Sequence, residues 1–240
     1  MQSVAFYCIN LKERHDRKRS VRRLFRRLGL KVHWWTVDRH PEGGRWGCFE
    51  SHVCIWAHSH ADITVIFEDD VQFEGSKEQF RSLLKEAVLL SRDYDTIHLG
   101  NVPVSLGRTV SLNFSEGTFV TLSCYLGRTS RLKSLIPKVL SYWGLHLDTV
   151  LSTVAQQAGS LNASMHQDFR DSNNPWTDNI PIVSLLEVDR YFRESLQKDS
   201  KALLRIPSWI WFLVMRASLA LGVFQGGLIG YSPEFRDRRV

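Results

Sequence analysis

The sequence predicts an α/β fold with a mostly parallel central sheet, and three observations carry that expectation. Two continuously apolar runs, Val4 to Ile9 and Ile63 to Phe67, have the length and composition of strands buried on both faces. Between the first run and a further strand-like stretch, Lys31 to Val37, lies an amphipathic segment from Arg14 to Leu28. That is a β-α-β opening, which implies a right-handed crossover between parallel strands. Hydrophobic residues make up 43% and charged residues 23% of the 240, a balance that fills a core and argues against disorder.

The elements follow in order. Val21, Leu24, Phe25 and Leu28 share one face of the first helix, and Gly29 is its natural stop. Arg39 to Gly47 reads as a loop rich in Gly and Pro, with a helix from Ser51 to Ser59 opened by Ser51 as N-cap. Ile63 to Phe67 runs straight into Glu68-Asp69-Asp70. Lys77 to Leu90 has helical periodicity, and Thr96 to Leu99 is a short strand ending at Gly100. Thr118 to Leu126 is a further strand, Ser130 to Leu140 and Leu147 to Gln157 are helices, and Gln167 to Asn179 is a polar loop.

The C-terminal part differs in character, which divides the chain into a domain over 1–180 and an appendage over 181–240. From Trp209 to Phe224 only Arg216 is charged. A spanning helix needs about 20 apolar residues, so this run suits either a buried helix or one lying in the headgroup plane. Trp209 and Trp211, with Lys198, Lys201 and Arg205 upstream, fit the interfacial form.

The net charge of +6 is unevenly spread: Lys12 to Lys31 holds ten Lys or Arg residues against Glu13 and Asp16. Such a block suits a polyanionic partner or a solvated helix face. Cys8, Cys48, Cys54 and Cys124 form no CxxC pair, their spacing fits neither a zinc site nor a disulfide-dense scaffold, and Cys8 and Cys124 read as buried small hydrophobes. The strand-like start, with its basic run after rather than before the apolar stretch, gives no sign of a secretory leader. The sequons at Asn113 and Asn162 are accordingly read as chance matches. The expected location is the cytoplasm, with peripheral association at the inner face of the membrane.

Three consecutive carboxylates at the end of a buried strand repel one another and lose water. A divalent cation with a taste for hard oxygen ligands relieves that cost, and in open α/β sheets ligands bind beyond the carboxyl ends of the strands. An acidic triplet also caps helices, so the triplet alone leaves both readings open.

Its neighbours in sequence go further. Asn10-Leu11 followed by Arg14 and Arg17, then Gly47-Cys48-Phe49-Glu50-Ser51-His52 with Trp56, then Val65-Ile66-Phe67-Glu68-Asp69-Asp70-Val71 occur in that order. Tyr94 to Gly100 follows as a short strand. This series resembles glycosyltransferase family 25, the group of bacterial lipooligosaccharide galactosyltransferases and collagen galactosyltransferases, over roughly residues 4 to 175. The resemblance implies a GT-A-like nucleotide-sugar-binding fold, a UDP-sugar donor and transfer with inversion, assisted by Mn2+ or Mg2+. It points to Asn10, Arg14, Arg17, Ser51, His52, Glu68 and Asp69 for the donor and to Asp70 with Glu68 for the metal; an exposed helix face is the other reading of Arg14 and Arg17, and a buried, satisfied histidine that of His52. Inversion needs a general base; Asp148 is the candidate, with a helix cap as its other reading and Asp168 and Asp171 in reserve.

The implied acceptor is a glycan, foremost a lipopolysaccharide or lipooligosaccharide glycolipid. A protein hydroxyl or a modified DNA base keeps the same chemistry, although no DNA-reading motif is present and a nucleic-acid partner is disfavoured. A non-catalytic binding module on the same fold is the alternative from another class.

Overall fold

A computed structural model describes residues 2–143, 145–161 and 165–167, all within the unit Met1–Pro181. The loop expected to follow Gln167, with Asp168 and Asp171, and the appendage over 181–240 lie outside the described residues. The chain forms β1 (Val4–Leu11), α1 (His15–Leu28), β2 (His33–Val37), α2 (Gly44–His58), β3 (Ile63–Glu68), β4 (Val71–Phe73) and α3 (Lys77–Leu90). It continues through β5 (Thr96–Thr109), β6 (Phe114–Arg128), α4 (Thr129–Leu140), α5 (Leu147–Val154), β7 (Gln157–Ser160) and β8 (Met165–Gln167).

Six strands make one mixed sheet in the order β2-β1-β3-β6-β5-β7, and β4 with β8 forms a separate ribbon. Both neighbours of β1 run parallel to it, β5 runs parallel to β7, and β6 is antiparallel to β3, β5 and β7. Within this sheet β6 is therefore the single reversed strand. The sheet is α/β and mostly co-directional, as its apolar strands predict.

Alternation along β3 divides the core. Ile63, Val65 and Phe67 join Cys8, Leu126 and Ile97 with the buried faces of α1 and α3: Val21, Leu24, Phe25, Leu28, Phe80, Leu83 and Ala87. The opposite face, with Ile66 and Tyr125, is covered by α2, where Phe49, Ile55 and Trp56 are fully buried, and α2 packs in turn against α4 and α5.

Local chemistry sets the ends of the helices. Gly29 closes α1 in the left-handed conformation, at φ 71°, its N–H donating to the Arg26 carbonyl. Ser76 and Gln79 form a reciprocal capping box at α3, a signature readable from the S-x-x-Q spacing.

Four local expectations need correction. The loop over 39–47 ends earlier, because α2 begins at Gly44. Ser51 is therefore not an N-cap; it sits in the second turn, and its hydroxyl donates back to the Gly47 carbonyl at 2.6 Å. The helix expected to reach Gln157 stops at Val154, because Gln157 to Ser160 pairs with both β5 and β6. The short strands at 96 and 118 are the inner parts of a long hairpin whose register shifts around Pro103.

Candidate active site

The carboxyl ends of β1 and β3 lie side by side, with Ile9 opposite Glu68 in register, so Asn10 and the acidic triplet emerge at the same edge. β3 ends at Glu68, and Asp69 and Asp70 lie in the turn that follows, both within reach of Arg17. Asp69 turns toward α1 and Glu68 toward α2.

On the α1 side, Asn10 is 1% exposed and donates from Nδ2 to Asp69 Oδ2 at 2.7 Å and to the Arg14 carbonyl at 3.3 Å. Arg17, in the first turn of α1, donates from one terminal nitrogen to Asp69 Oδ1 at 3.1 Å and Asp70 Oδ2 at 3.2 Å. Both oxygens of Asp69 are thereby engaged. Two polar atoms here, Asn10 Oδ1 and Arg17 Nε, are buried without a hydrogen-bond partner. Buried polar groups are seldom left so, and ligand or ion sites are among the usual reasons. Arg14 stands at the mouth of the same turn and pairs with Asp16 at 2.7 Å, holding that carboxyl well below its usual range through the hydrogen bond.

On the α2 side, Glu68 Oε1 is 3.5 Å from Cys48 Sγ and 3.4 Å from His52 Nε2. His52 is fully buried, and its Nδ1 lies 2.9 Å from the Tyr125 hydroxyl, which also accepts from Trp56 Nε1 at 2.9 Å. An ionised Glu68 can only accept, so in the neutral ring the proton facing it sits on His52 Nε2, and Nδ1 accepts from the phenol, whose oxygen accepts in turn from Trp56. This chain fixes the tautomer and orients the carboxylate.

Asp148 stands in the first turn of α5 and is 7% exposed. Its Oδ2 accepts from the Thr121 N–H at 3.1 Å and its Oδ1 from the Thr149 N–H at 2.7 Å. Thr121 is the one non-glycine residue with a positive φ, 70°, among those described. For a β-branched residue that is an uncommon conformation, and the Asp148 carboxylate holds its amide. Burial, followed by the charges of Glu68, Asp148 and Asp70, raises the Cys48 thiol well above its ordinary range. Of these carboxylates Glu68 touches the thiol directly, at 3.5 Å.

Hydrogen bonds bring together Asn10, Arg17, Asp69 and Asp70 on the α1 side and His52 with Glu68 on the α2 side, whereas Asp148 bonds to the Thr121 and Thr149 backbone. Arg14 stands at the rim of the site, and Ser51 serves the helix backbone. Sequence reasoning passed over Cys48 and Tyr125. Cys48 and His52 stand four residues apart, one helical turn, and Tyr125 is a phenol in an otherwise apolar strand; both were available signals.

No family model matches the chain, and no curated protein sequence matches it. Among solved structures, a mannose-1-phosphate geranyltransferase from Thermus thermophilus is 11% identical with a TM-score of 0.40, covering 67% of this chain and 74% of that one. A CMP:2-keto-3-deoxy-manno-octonic acid synthetase complexed with CTP is 9% identical with a TM-score of 0.40, covering 80% and 99%. A197 from STIV is 8% identical with a TM-score of 0.37, covering 65% and 81%. Likenesses this distant assign neither substrate nor reaction. No helix among the described residues is long and apolar enough to cross a membrane.

Proposed function

We propose that the protein is a metal-dependent, inverting glycosyltransferase that moves galactose or glucose from a UDP-sugar to a hydroxyl of a glycan, foremost a lipopolysaccharide or lipooligosaccharide. One observation carries the reading: at the carboxyl edge of β1 and β3 the acidic triplet is held by named partners, Asp69 by Asn10 and Arg17, Asp70 by Arg17, and Glu68 by Cys48 and His52. The ordered motifs Asn10-Leu11, Gly47 to His52 and Glu68 to Asp70 support it.

The donor set suits a hard divalent ion such as Mn2+ or Mg2+. Glu68 and Asp70 would hold it, Asp70 giving up its contact with Arg17 at 3.2 Å, whereas both oxygens of Asp69 are engaged by Asn10 and Arg17. When bound, such an ion supplies positive charge to the departing diphosphate. The remaining work falls to the chain. Arg17 offers a planar fork to donor phosphate, balanced meanwhile by Asp69 and Asp70. His52 fixes Glu68. Asp148, positioned by two backbone N–H groups, takes the proton of the acceptor hydroxyl as that oxygen attacks the anomeric carbon and the diphosphate leaves from the opposite face.

An acceptor at an anionic surface is supported by α1. Arg19, Arg22, Arg23 and Arg26 recur at i, i+3, i+4 and i+7, all exposed and opposite the buried Val21, Leu24, Phe25 and Leu28. Arg22 and Lys18 also lie over the Trp34 ring on β2. A membrane leaflet or a phosphorylated glycolipid has the complementary charge.

The test is turnover of a panel of UDP-sugars with Mn2+, comparing the wild type with Asp70→Asn. Consumption of one UDP-sugar that Asp70→Asn abolishes supports the transferase. If no sugar nucleotide is consumed, and UDP with Mn2+ leaves the melting temperature unmoved, the site is a binding module or purely structural.

A further inference from the structure

We propose that Cys48, His52 and Glu68 form a binding site for a thiophilic divalent cation of the zinc type, distinct in chemistry from the hard-ion site but sharing Glu68 with it. The inference goes beyond the transferase reading and needs only that these three side chains fold together.

Geometry carries it. One sulfur, one imidazole nitrogen and one carboxylate oxygen lie within 4.8 Å of one another. Metal–ligand bonds of about 2.3 Å to sulfur and about 2.0 Å to nitrogen or oxygen place tetrahedral ligands about 3.3–3.6 Å apart. The measured Cys48–Glu68 and His52–Glu68 separations are 3.5 and 3.4 Å. Two edges of the tetrahedron are already present, and closing the third needs only a movement of the Cys48 thiol. Cys48 and His52 sit one turn apart on α2, a rigid element that presents both to the end of β3. Glu68 keeps part of its side chain open to solvent, so the ion has an entry path and room for a fourth ligand.

The surroundings favour a dication over a bare thiolate. The Glu68 carboxylate lies 3.5 Å from the Cys48 sulfur and opposes a lone negative charge there; a bound cation reverses the sign of that field. Binding balances simply. The Cys48 thiol loses one proton to solvent, His52 moves its own proton from Nε2 to Nδ1, and Nε2 and the thiolate become ligands. Tyr125 then accepts from both His52 and Trp56, the oriented partner that metal-bound histidines normally have. The phenol proton is turned away from its acceptor, which sets the affinity below that of a dedicated structural zinc site. Because Glu68 is shared, a soft ion held here withdraws a ligand from the hard-ion site.

The test is titration of the reduced, full-length protein with Co2+, followed by displacement with Zn2+. The expected result is a thiolate-to-cobalt charge-transfer band saturating at one equivalent, accompanied by the intense visible bands of a tetrahedral ion, both bleached by Zn2+. Cys48→Ser should abolish the charge-transfer band. Cys54→Ser, which removes the other partly exposed thiol, should leave it unchanged. Asp70→Asn should also retain the band while losing any sugar transfer, so the two readings fail separately. Absence of the band in the wild type, or its persistence in Cys48→Ser, would overturn the proposal.

Discussion

The phenolic oxygen of Tyr125 on β6 lies 2.9 Å from His52 Nδ1 and 2.9 Å from Trp56 Nε1, binding two consecutive turns of α2 to the sheet beneath the acidic edge. Tyr125 and Trp56 are fully buried. Tyr125→Phe keeps the ring and strands both nitrogens, and each buried group left without a partner costs about 1–3 kcal/mol. Urea unfolding should therefore show a loss of at least about 2 kcal/mol, together with weaker donor binding because Glu68 is no longer oriented. Unchanged stability would mean that water or a side-chain shift replaces the phenol.

His98 gives the fold a pH dependence of its own. It is fully buried between the rings of Phe119 and Tyr125, and Thr96 and Gln157 hydrogen-bond to its Nε2. Burial lowers its pKa from 6.5 to about 4. The unfolded chain accepts a proton near pH 6.5 and the folded chain only near 4, so the unfolded state binds more protons in that window. Stability contributed by neutral His98 is present above pH 6.5 and is lost as pH falls toward 4. Linkage gives a loss of about 2 kcal/mol between about pH 7.5 and about pH 5. Denaturant unfolding at those two pH values should show it, and His98→Gln should flatten the slope; equal slopes in the two proteins would refute the assignment.

Much of this architecture is legible in the residues. Apolar runs at Val4 and Ile63, the helical face of Val21, Leu24, Phe25 and Leu28, and Gly29 as a stop fix β1, α1 and β3 nearly to the residue. The start of α2 is not legible, because Gly43, Gly44 and Gly47 signal a loop by local propensity, while burial of Trp46 and Phe49 draws the segment into a helix. β7 is hidden for a related reason. Gln157 to Ser160 has no strand composition, and its place between β5 and β6 is decided by tertiary pairing and by Gln157 Oε1 accepting from the Phe119 N–H. Within the site, the Glu68-Asp69-Asp70 run is obvious in the sequence. Its division between two helices is readable only once β3 is known to end at Glu68, because the turn that follows carries both Asp69 and Asp70 to Arg17.

Asp148 separates chemistry from support. In Asp148→Asn the amide nitrogen must face one of the two N–H donors, Thr121 or Thr149, which costs about 1–3 kcal/mol of stability. Loss of a general base lowers turnover by about 10²–10⁴-fold. Assayed well below its melting temperature, the variant should keep the thermal shift given by UDP with Mn2+ and lose transfer. If transfer falls only in proportion to the unfolded fraction, Asp148 is a clamp for the Thr121 backbone and the base lies elsewhere.

The arginine stripe of α1 separates surface attraction from folding. Arg19, Arg22, Arg23 and Arg26 are exposed, and surface substitutions away from packed features usually shift stability by less than about 0.5 kcal/mol. Changing all four to Gln should leave the melting temperature close to wild type, with Arg22 forfeiting its contact over Trp34. Each cation near an anionic leaflet contributes about 1 kcal/mol, so partitioning onto phosphatidylglycerol vesicles at low salt should fall by roughly a hundredfold or more. The wild-type protein should also come off these vesicles as ionic strength rises, because the attraction is screened within a Debye length. Equal partitioning of wild type and variant would remove α1 as the membrane-facing surface, leaving donor chemistry at Glu68 and Asp70 unaffected.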